Sequence, residues 1–122
     1  MLDTYFFDTY AIVEIIKGNE NYKQYLDKNA VLTQLNIFEL FYNLMKDFGF
    51  KIADEIVDKY YISVVDYGKE VIKEAILFKL ENKERNLSMT DCIGYIIARK
   101  MGIKFLTGDK EFEGFEGVEF VK

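Results

Sequence analysis

The 122-residue sequence contains no histidine, no proline, no tryptophan and only one cysteine, Cys92. Without histidine, the chain cannot carry out Ser-His-Asp or Cys-His catalysis, and it cannot build a histidine-ligated metal site. A single cysteine cannot form an internal disulfide or a cysteine-rich zinc site. These absences exclude several common enzyme classes and leave chemistry based on oxygen ligands.

Long apolar runs are missing as well. No stretch reaches the roughly 18 residues of a membrane span, and no basic start followed by an apolar stretch resembles a signal peptide. Together with the lone cysteine, this predicts a protein of the reducing cytoplasm that has no membrane partner. The length favours one domain over residues 1–122, and half of the residues are hydrophobic, as in ordinary globular proteins.

The formal net charge is −5, from 16 basic and 21 acidic residues. Taken alone, this charge disfavours a nucleic-acid partner, because proteins that bind nucleic acids usually carry basic patches. The net charge is less informative if four of the 21 carboxylates hold a cation. The remaining count is then 16 basic and 17 acidic residues, a net charge of −1. Whether four acids gather in one place therefore decides the functional interpretation.

Patterns typical of strands and helices follow one another along the chain. Strands are expected at residues 5–7, 30–33, 60–65, 103–106 and 118–121. Helical patterns fill most of the intervals, at residues 10–17, 20–27, 35–48, 52–58, 68–82 and 88–101. This alternation predicts an α/β fold with a mostly parallel sheet that is covered on both faces.

Four acidic residues occupy positions that such a sheet brings to one edge, because functional groups gather at the carboxyl ends of parallel strands. Asp8 directly follows the first strand, and Asp109 follows the fourth across a Thr-Gly turn. Glu39 lies one turn into the helix after the second strand, and Asp91 lies in the first turn of the last long helix. The four carboxylates are therefore expected to converge.

Each of these acids also has a structural interpretation. Asp8 could cap the next helix, Asp91 fits a capping box, and Asp109 suits a turn. Glu39 could belong to the solvated face of its helix, beside Asn36. However, apolar residues flank Glu39 and no Lys or Arg lies at helical spacing, so a partly buried carboxylate there would need a cation.

Converging carboxylates repel one another and make sense only around a positive charge. Oxygen ligands without histidine or thiolate favour Mg²⁺ or Mn²⁺ over zinc. One or two such ions can activate water and stabilise a phosphoryl transition state. The acid set is therefore predicted to bind Mg²⁺ or Mn²⁺ and to hydrolyse phosphodiester bonds.

The segments around the four acids resemble a PIN domain. Residues 5–11 resemble the first strand and acid of that family, and residues 36–40 resemble its helix-borne glutamate. Residues 88–94 and 105–112 resemble its third and closing acidic segments. The resemblance spans nearly the whole chain in order, and it implies a three-layer α/β/α fold and a Mg²⁺- or Mn²⁺-dependent ribonuclease.

At this length the chain is similar to the VapC toxins of prokaryotic type II toxin–antitoxin pairs, and residues 8–11 resemble archaeal members. This resemblance implies an RNA substrate, a homodimer, and a small VapB-like antitoxin that inserts near the acid pocket. It also implies that one set of residues is both catalytic and metal-binding: Asp8, Glu39, Asp91 and Asp109. Asp8 and Asp91 would lie closest to the metal.

The same resemblance suggests three residues that contact the substrate. The hydroxyls of Thr9 and Thr107 would hydrogen-bond the acids or a scissile phosphate, although both residues could equally be a helix start and a turn. Lys110 is a candidate for RNA contact, with a solvated surface charge as the alternative.

Three other functions fit parts of the sequence. Asp66, at the end of the expected strand 60–65, would suit a phosphoacceptor signalling domain, but this function leaves Glu39 and Asp91 without a role. A non-catalytic PIN-like scaffold would bind RNA or protein, although all four acids are present. A PIN nuclease devoted to RNA processing would differ from a toxin in having no antitoxin reading frame immediately upstream.

Overall fold

The structure, a computed structural model, describes residues 3–122. Its four short strands form one sheet in the order β2-β1-β3-β4, and every neighbouring pair is parallel. The strands are β1 (Thr4–Phe7), β2 (Asn29–Val31), β3 (Lys104–Thr107) and β4 (Val118–Phe120). The predicted parallel sheet is therefore confirmed, and the carboxyl ends of its strands share one edge.

Five α-helices connect the strands within residues 3–122. They are α1 (Thr9–Ile16), α2 (Gln34–Phe48), α3 (Phe50–Tyr61), α4 (Lys69–Glu81) and α5 (Met89–Met101). Two short 3-10 helices, Glu20–Tyr25 and Lys110–Phe112, complete the connections. None of the helices in this part of the chain is long and apolar enough to cross a membrane.

Two clusters of buried side chains pack on the two faces of the sheet. Because successive side chains of a strand point to opposite faces, Phe6 and Phe105 join the cluster formed with α4 and α5. Phe7 and Leu106 join the other cluster, which contains side chains from α1, α2 and α3. The helices thus form two outer layers around the sheet, as the three-layer α/β/α expectation requires.

A glycine allows α5 to approach the sheet closely. A Cβ atom added to Gly94 would lie 2.7 Å from the Phe6 ring. The helix begins at its Ser88 cap and ends at Gly102, which adopts the left-handed conformation with φ of 71°. This packing fixes the first turn of α5, which carries Asp91.

The prediction of a strand at residues 60–65 is wrong. Tyr60 and Tyr61 are the last residues of α3, and in this segment only Val64 forms a single parallel bridge, to Leu32. Because this strand is absent, α3 and α4 follow one another without an intervening strand. The strict alternation of strands and helices therefore fails here.

Asp66 consequently lies exposed in the loop between α3 and α4. The interpretation as a phosphoacceptor rested on Asp66 ending a buried strand, and the structure removes that feature. The helix expected at residues 20–27 is also shorter than predicted, and it is a 3-10 helix that spans Glu20–Tyr25.

Candidate active site

Asp8 follows β1 directly and is only 4% exposed. Its backbone begins α1, but its side chain makes no capping hydrogen bond, so the capping role considered for this carboxylate is wrong. Instead, Oδ2 of Asp8 accepts a hydrogen bond of 2.7 Å from Oγ1 of Thr107. Thr107 is fully buried at the end of β3, so this bond joins two neighbouring strand ends.

The environment of Asp8 opposes its negative charge. Burial and then the charge of Asp91 raise the pKa of Asp8 from 3.8 to about 8. The charges of Glu39 and Asp109 act in the same direction, and only the hydrogen bond from Thr107 lowers this pKa. The charges of the other three predicted acids thus all act on Asp8 at this edge of the sheet.

Glu39 lies half-buried on α2 and is held by a residue of α1. Oγ1 of Thr9 donates a hydrogen bond of 2.8 Å to Oε1 of Glu39. The same Thr9 oxygen accepts a hydrogen bond of 3.1 Å from Nδ2 of Asn36, one turn earlier on α2. Thr9 therefore connects the end of β1 to the helix that carries the glutamate.

Asn36 is a member of the site that the sequence analysis left on the solvated face of its helix. The side chain is only 1% exposed, because Thr9 packs against it from α1. Its Oδ1 accepts hydrogen bonds from the backbone nitrogen and the hydroxyl of Thr33, at 3.0 and 2.9 Å. The spacing of Thr33, Asn36 and Glu39, three residues apart each time, is the sequence signal for this arrangement.

Asp91 completes a capping box at the start of α5. Its Oδ2 accepts a hydrogen bond of 2.9 Å from the backbone nitrogen of Ser88, and its own nitrogen donates to Oγ of Ser88. Burial raises the pKa of Asp91, the hydrogen bonds with Ser88 lower it, and the charges of Asp109 and Glu39 raise it. The capping role of Asp91 is therefore confirmed for its Oδ2 atom. The charges of Asp109 and Glu39 still act on the same carboxylate.

Asp109 follows the tight turn at the end of β3. Its backbone nitrogen donates to Oγ1 of Thr107 at 3.1 Å, and its Oδ1 accepts from the nitrogen of Glu111 at 3.0 Å. The turn requires Gly108, because an added Cβ would lie 2.2 Å from the carbonyl oxygen of Val121. The turn role of Asp109 is confirmed, and Lys110 is exposed directly beside it.

The chemistry of the four carboxylates suits a hard cation. None of them forms an ion pair with Lys or Arg in the described residues. In the same residues, no group of three acidic or cysteine side chains is arranged to hold a metal ion. Mg²⁺ is commonly bound through one or two carboxylates and several waters, so the donor set fits such an ion without a closed protein cage.

Two exposed apolar surfaces involve helices that carry acids of the site, α2 with Glu39 and α5 with Asp91. A groove of about 790 Å³ runs along α2 and is lined mainly by apolar and aromatic side chains. Its main lining residues are Ile37, Phe38, Phe41, Tyr42, Met45 and Tyr61. Phe38, which directly precedes Glu39, is 77% exposed. The second surface consists of the exposed side chains of Ile72, Ile76, Leu80 and Met89 on α4 and α5.

The family model of the PIN domain matches residues 5–118 of the chain. A chain of a solved toxin–antitoxin complex from Klebsiella pneumoniae superimposes with a TM-score of 0.75 at 18% identity, over 93% of this chain and 94% of that one. A chain of the DNA-bound VapBC crystal structure from Salmonella typhimurium gives a TM-score of 0.72 at 20% identity, over 98% and 97%. No curated protein sequence matches this chain. At these identities, the two structures show a shared fold.

Proposed function

The chain belongs to the PIN domain family, and on that basis we propose that it is an endoribonuclease that hydrolyses RNA phosphodiester bonds with Mg²⁺ or Mn²⁺. The observation that supports this most is the environment of Asp8. Its carboxyl group is buried, the charges of Asp91, Glu39 and Asp109 oppose its ionisation, and no Lys or Arg pairs with it in residues 3–122. A divalent cation would compensate these charges.

Asp8 and Asp91 would hold the ion, and Glu39 and Asp109 would complete its shell directly or through water. When bound, the ion would lower the pKa of a water molecule and neutralise the charge that develops on the phosphoryl oxygens. Thr107 fixes the orientation of Asp8 through its hydrogen bond of 2.7 Å. Lys110 directly follows Asp109 in the sequence and is exposed, so its ammonium group would contact an RNA phosphate.

The two similar structures are described as a toxin–antitoxin complex and as VapBC, and these descriptions support a role as the toxin of such a pair. We infer that residues 1–122 make up one PIN domain acting in the cytoplasm. The apolar groove on α2, which includes Phe38 beside Glu39, supports a small antitoxin that binds near the acids. The exposed apolar surface of α4 and α5 supports a homodimer.

The catalytic proposal is tested with single carboxylate-to-amide variants and a mixed-sequence, single-stranded RNA in Mn²⁺. Asp8→Asn and Asp91→Asn are expected to abolish cleavage while the far-ultraviolet circular dichroism stays that of the wild type. Asp66→Asn is the matched control, because Asp66 is an exposed acid outside the site. Cleavage by the Asp8 variant at the wild-type rate, or wild-type cleavage that survives EDTA, would contradict the metal-dependent mechanism.

The partner is tested separately by sequencing the gene's surroundings and expressing any short reading frame immediately upstream. An antitoxin should copurify with this chain and inhibit its RNA cleavage. If cleavage is confirmed but no such reading frame exists, the nuclease is one of RNA processing and the toxin assignment is wrong.

A further inference from the structure

Three hydrogen bonds connect the backbone nitrogen of Thr33, the residue that caps α2, to the carboxylate of Glu39. The nitrogen of Thr33 donates to Oδ1 of Asn36 at 3.0 Å. Nδ2 of Asn36 then donates to Oγ1 of Thr9 at 3.1 Å, and this hydroxyl donates to Oε1 of Glu39 at 2.8 Å. Thr33, Asn36 and Thr9 are all buried, so water does not compete for these groups.

The direction of every bond in this series follows from its first member. A backbone N–H can only donate, so the atom of Asn36 that faces Thr33 must be the carbonyl oxygen. The amide NH₂ of Asn36 must therefore face Thr9. A hydroxyl has one proton, and since Thr9 accepts from Asn36 at a lone pair, that proton is directed to Glu39.

We propose that Asn36 is a positioning residue that acts through Thr9 to orient the carboxyl group of Glu39. This role rests on the nuclease function proposed above, in which Glu39 completes the metal shell directly or through water. Oε1 of Glu39 is anchored by Thr9, which leaves Oε2 for the ion or its water. The Thr9 proton is committed to Glu39, so Thr9 serves the acid and does not donate to the RNA phosphate.

Residues that orient metal-binding groups typically change activity or metal affinity by about 10- to 100-fold when they are removed. Thr9→Val keeps the shape of the side chain and removes the proton donated to Glu39, so we expect a loss of cleavage rate in this range. Thr9→Ser keeps the hydroxyl and should restore most of the rate. Urea unfolding of both variants shows whether either fails to fold.

Asn36→Asp is the decisive second change. The new side chain can still accept from the Thr33 nitrogen, which preserves the start of α2, but in its ionised form it cannot donate to Thr9. The Thr9 proton is then shared between two carboxylates, and cleavage should fall. In the Thr9→Val background, the same Asn36→Asp change should have almost no further effect on the cleavage rate, because the group through which it acts is gone.

A simple charge effect of the new aspartate would give a different result. The two changes would then multiply in the double variant, to within about twofold, and the positioning role would be wrong. Equal losses in Thr9→Ser and Thr9→Val would also refute it. If the wild type does not cleave RNA, the proposed function itself is wrong. The comparisons among the Thr9 and Asn36 variants test only the role of Asn36.

The side-chain amide of Asn36 gives a readout that does not depend on activity. In ¹H–¹⁵N spectra of the metal-free protein, one NH₂ proton of Asn36 should be shifted by its bond to Thr9 and protected from exchange. Thr9→Val should remove both signatures, and Thr9→Ser should retain them. Unchanged resonances in Thr9→Val would show that the bond does not exist in solution.

Discussion

The environment of Asp8 predicts that the metal-free protein loses stability as the pH rises. The unfolded chain has an ordinary Asp pKa of 3.8, whereas burial and the neighbouring acids raise the pKa of Asp8 in the fold to about 8. Between these values the folded state keeps a proton that the unfolded state releases, so raising the pH favours unfolding. The penalty is absent below pH 3.8 and complete above about pH 8.

The size of the effect follows from the difference between the two pKa values. A difference of about four, at about 1.4 kcal/mol each, gives on the order of 5 kcal/mol. Typical domains are stable by only about 5–15 kcal/mol, so this single carboxylate should dominate the pH dependence of the metal-free protein. The raised pKa of Asp91 contributes in the same direction.

Asp8→Asn isolates this contribution. An amide oxygen can still accept the hydrogen bond from Thr107, but the side chain no longer ionises. The variant should therefore be more stable than the wild type at pH 8 by several kcal/mol, and the difference should shrink towards pH 4. Urea unfolding in EDTA from pH 5 to 8, followed by circular dichroism, measures this difference; parallel pH profiles for the two proteins would refute the electrostatic reasoning.

Two further predictions concern the bound ion and the packing of α5. At pH 8, millimolar Mn²⁺ should raise the melting temperature of the wild type, because at 100 times its dissociation constant a ligand adds about 2.7 kcal/mol, and Asp8→Asn should lose most of this gain. No shift in the wild type would contradict a metal site in the free protein. Gly94→Ala should destabilise the fold by about 1–3 kcal/mol through overpacking, since its Cβ would lie 2.7 Å from Phe6. Gly68→Ala, whose nearest neighbour would be 3.9 Å away, is the control; equal unfolding midpoints in urea would disprove this packing argument.

The elements that the sequence predicts well are those whose local signals agree with their packing. Helix α5 has a capping residue at Ser88 and a glycine at 102 that ends it in the left-handed conformation, and both signals are local. The strand at residues 60–65 was mispredicted because a short apolar run does not distinguish a strand from the end of a helix. Buried Ala53 and Val57 lie at helical spacing with half-buried Tyr60, which extends α3 into the first two residues of the run.

The site shows the same division between local and non-local information. The position of Asp8 at the end of a strand could be predicted, because a strand and the residue after it are read from one segment. The burial of Asn36 could not, because Thr9, which covers it, is 27 residues away in the sequence. The distances between the carboxylates depend on how β1, β3, α2 and α5 pack together. These distances cannot be predicted from the spacing of the four acids along the sequence.

The hydrogen bond between Thr107 and Asp8 joins residues that are 99 positions apart. During translation the amino-terminal part of a chain emerges first, so Asp8 leaves the ribosome long before β3 and Asp109 exist. The pocket is therefore incomplete in every nascent intermediate that lacks this late strand. The proposed nuclease would therefore stay inactive towards RNA until β3 and Asp109 have been synthesised.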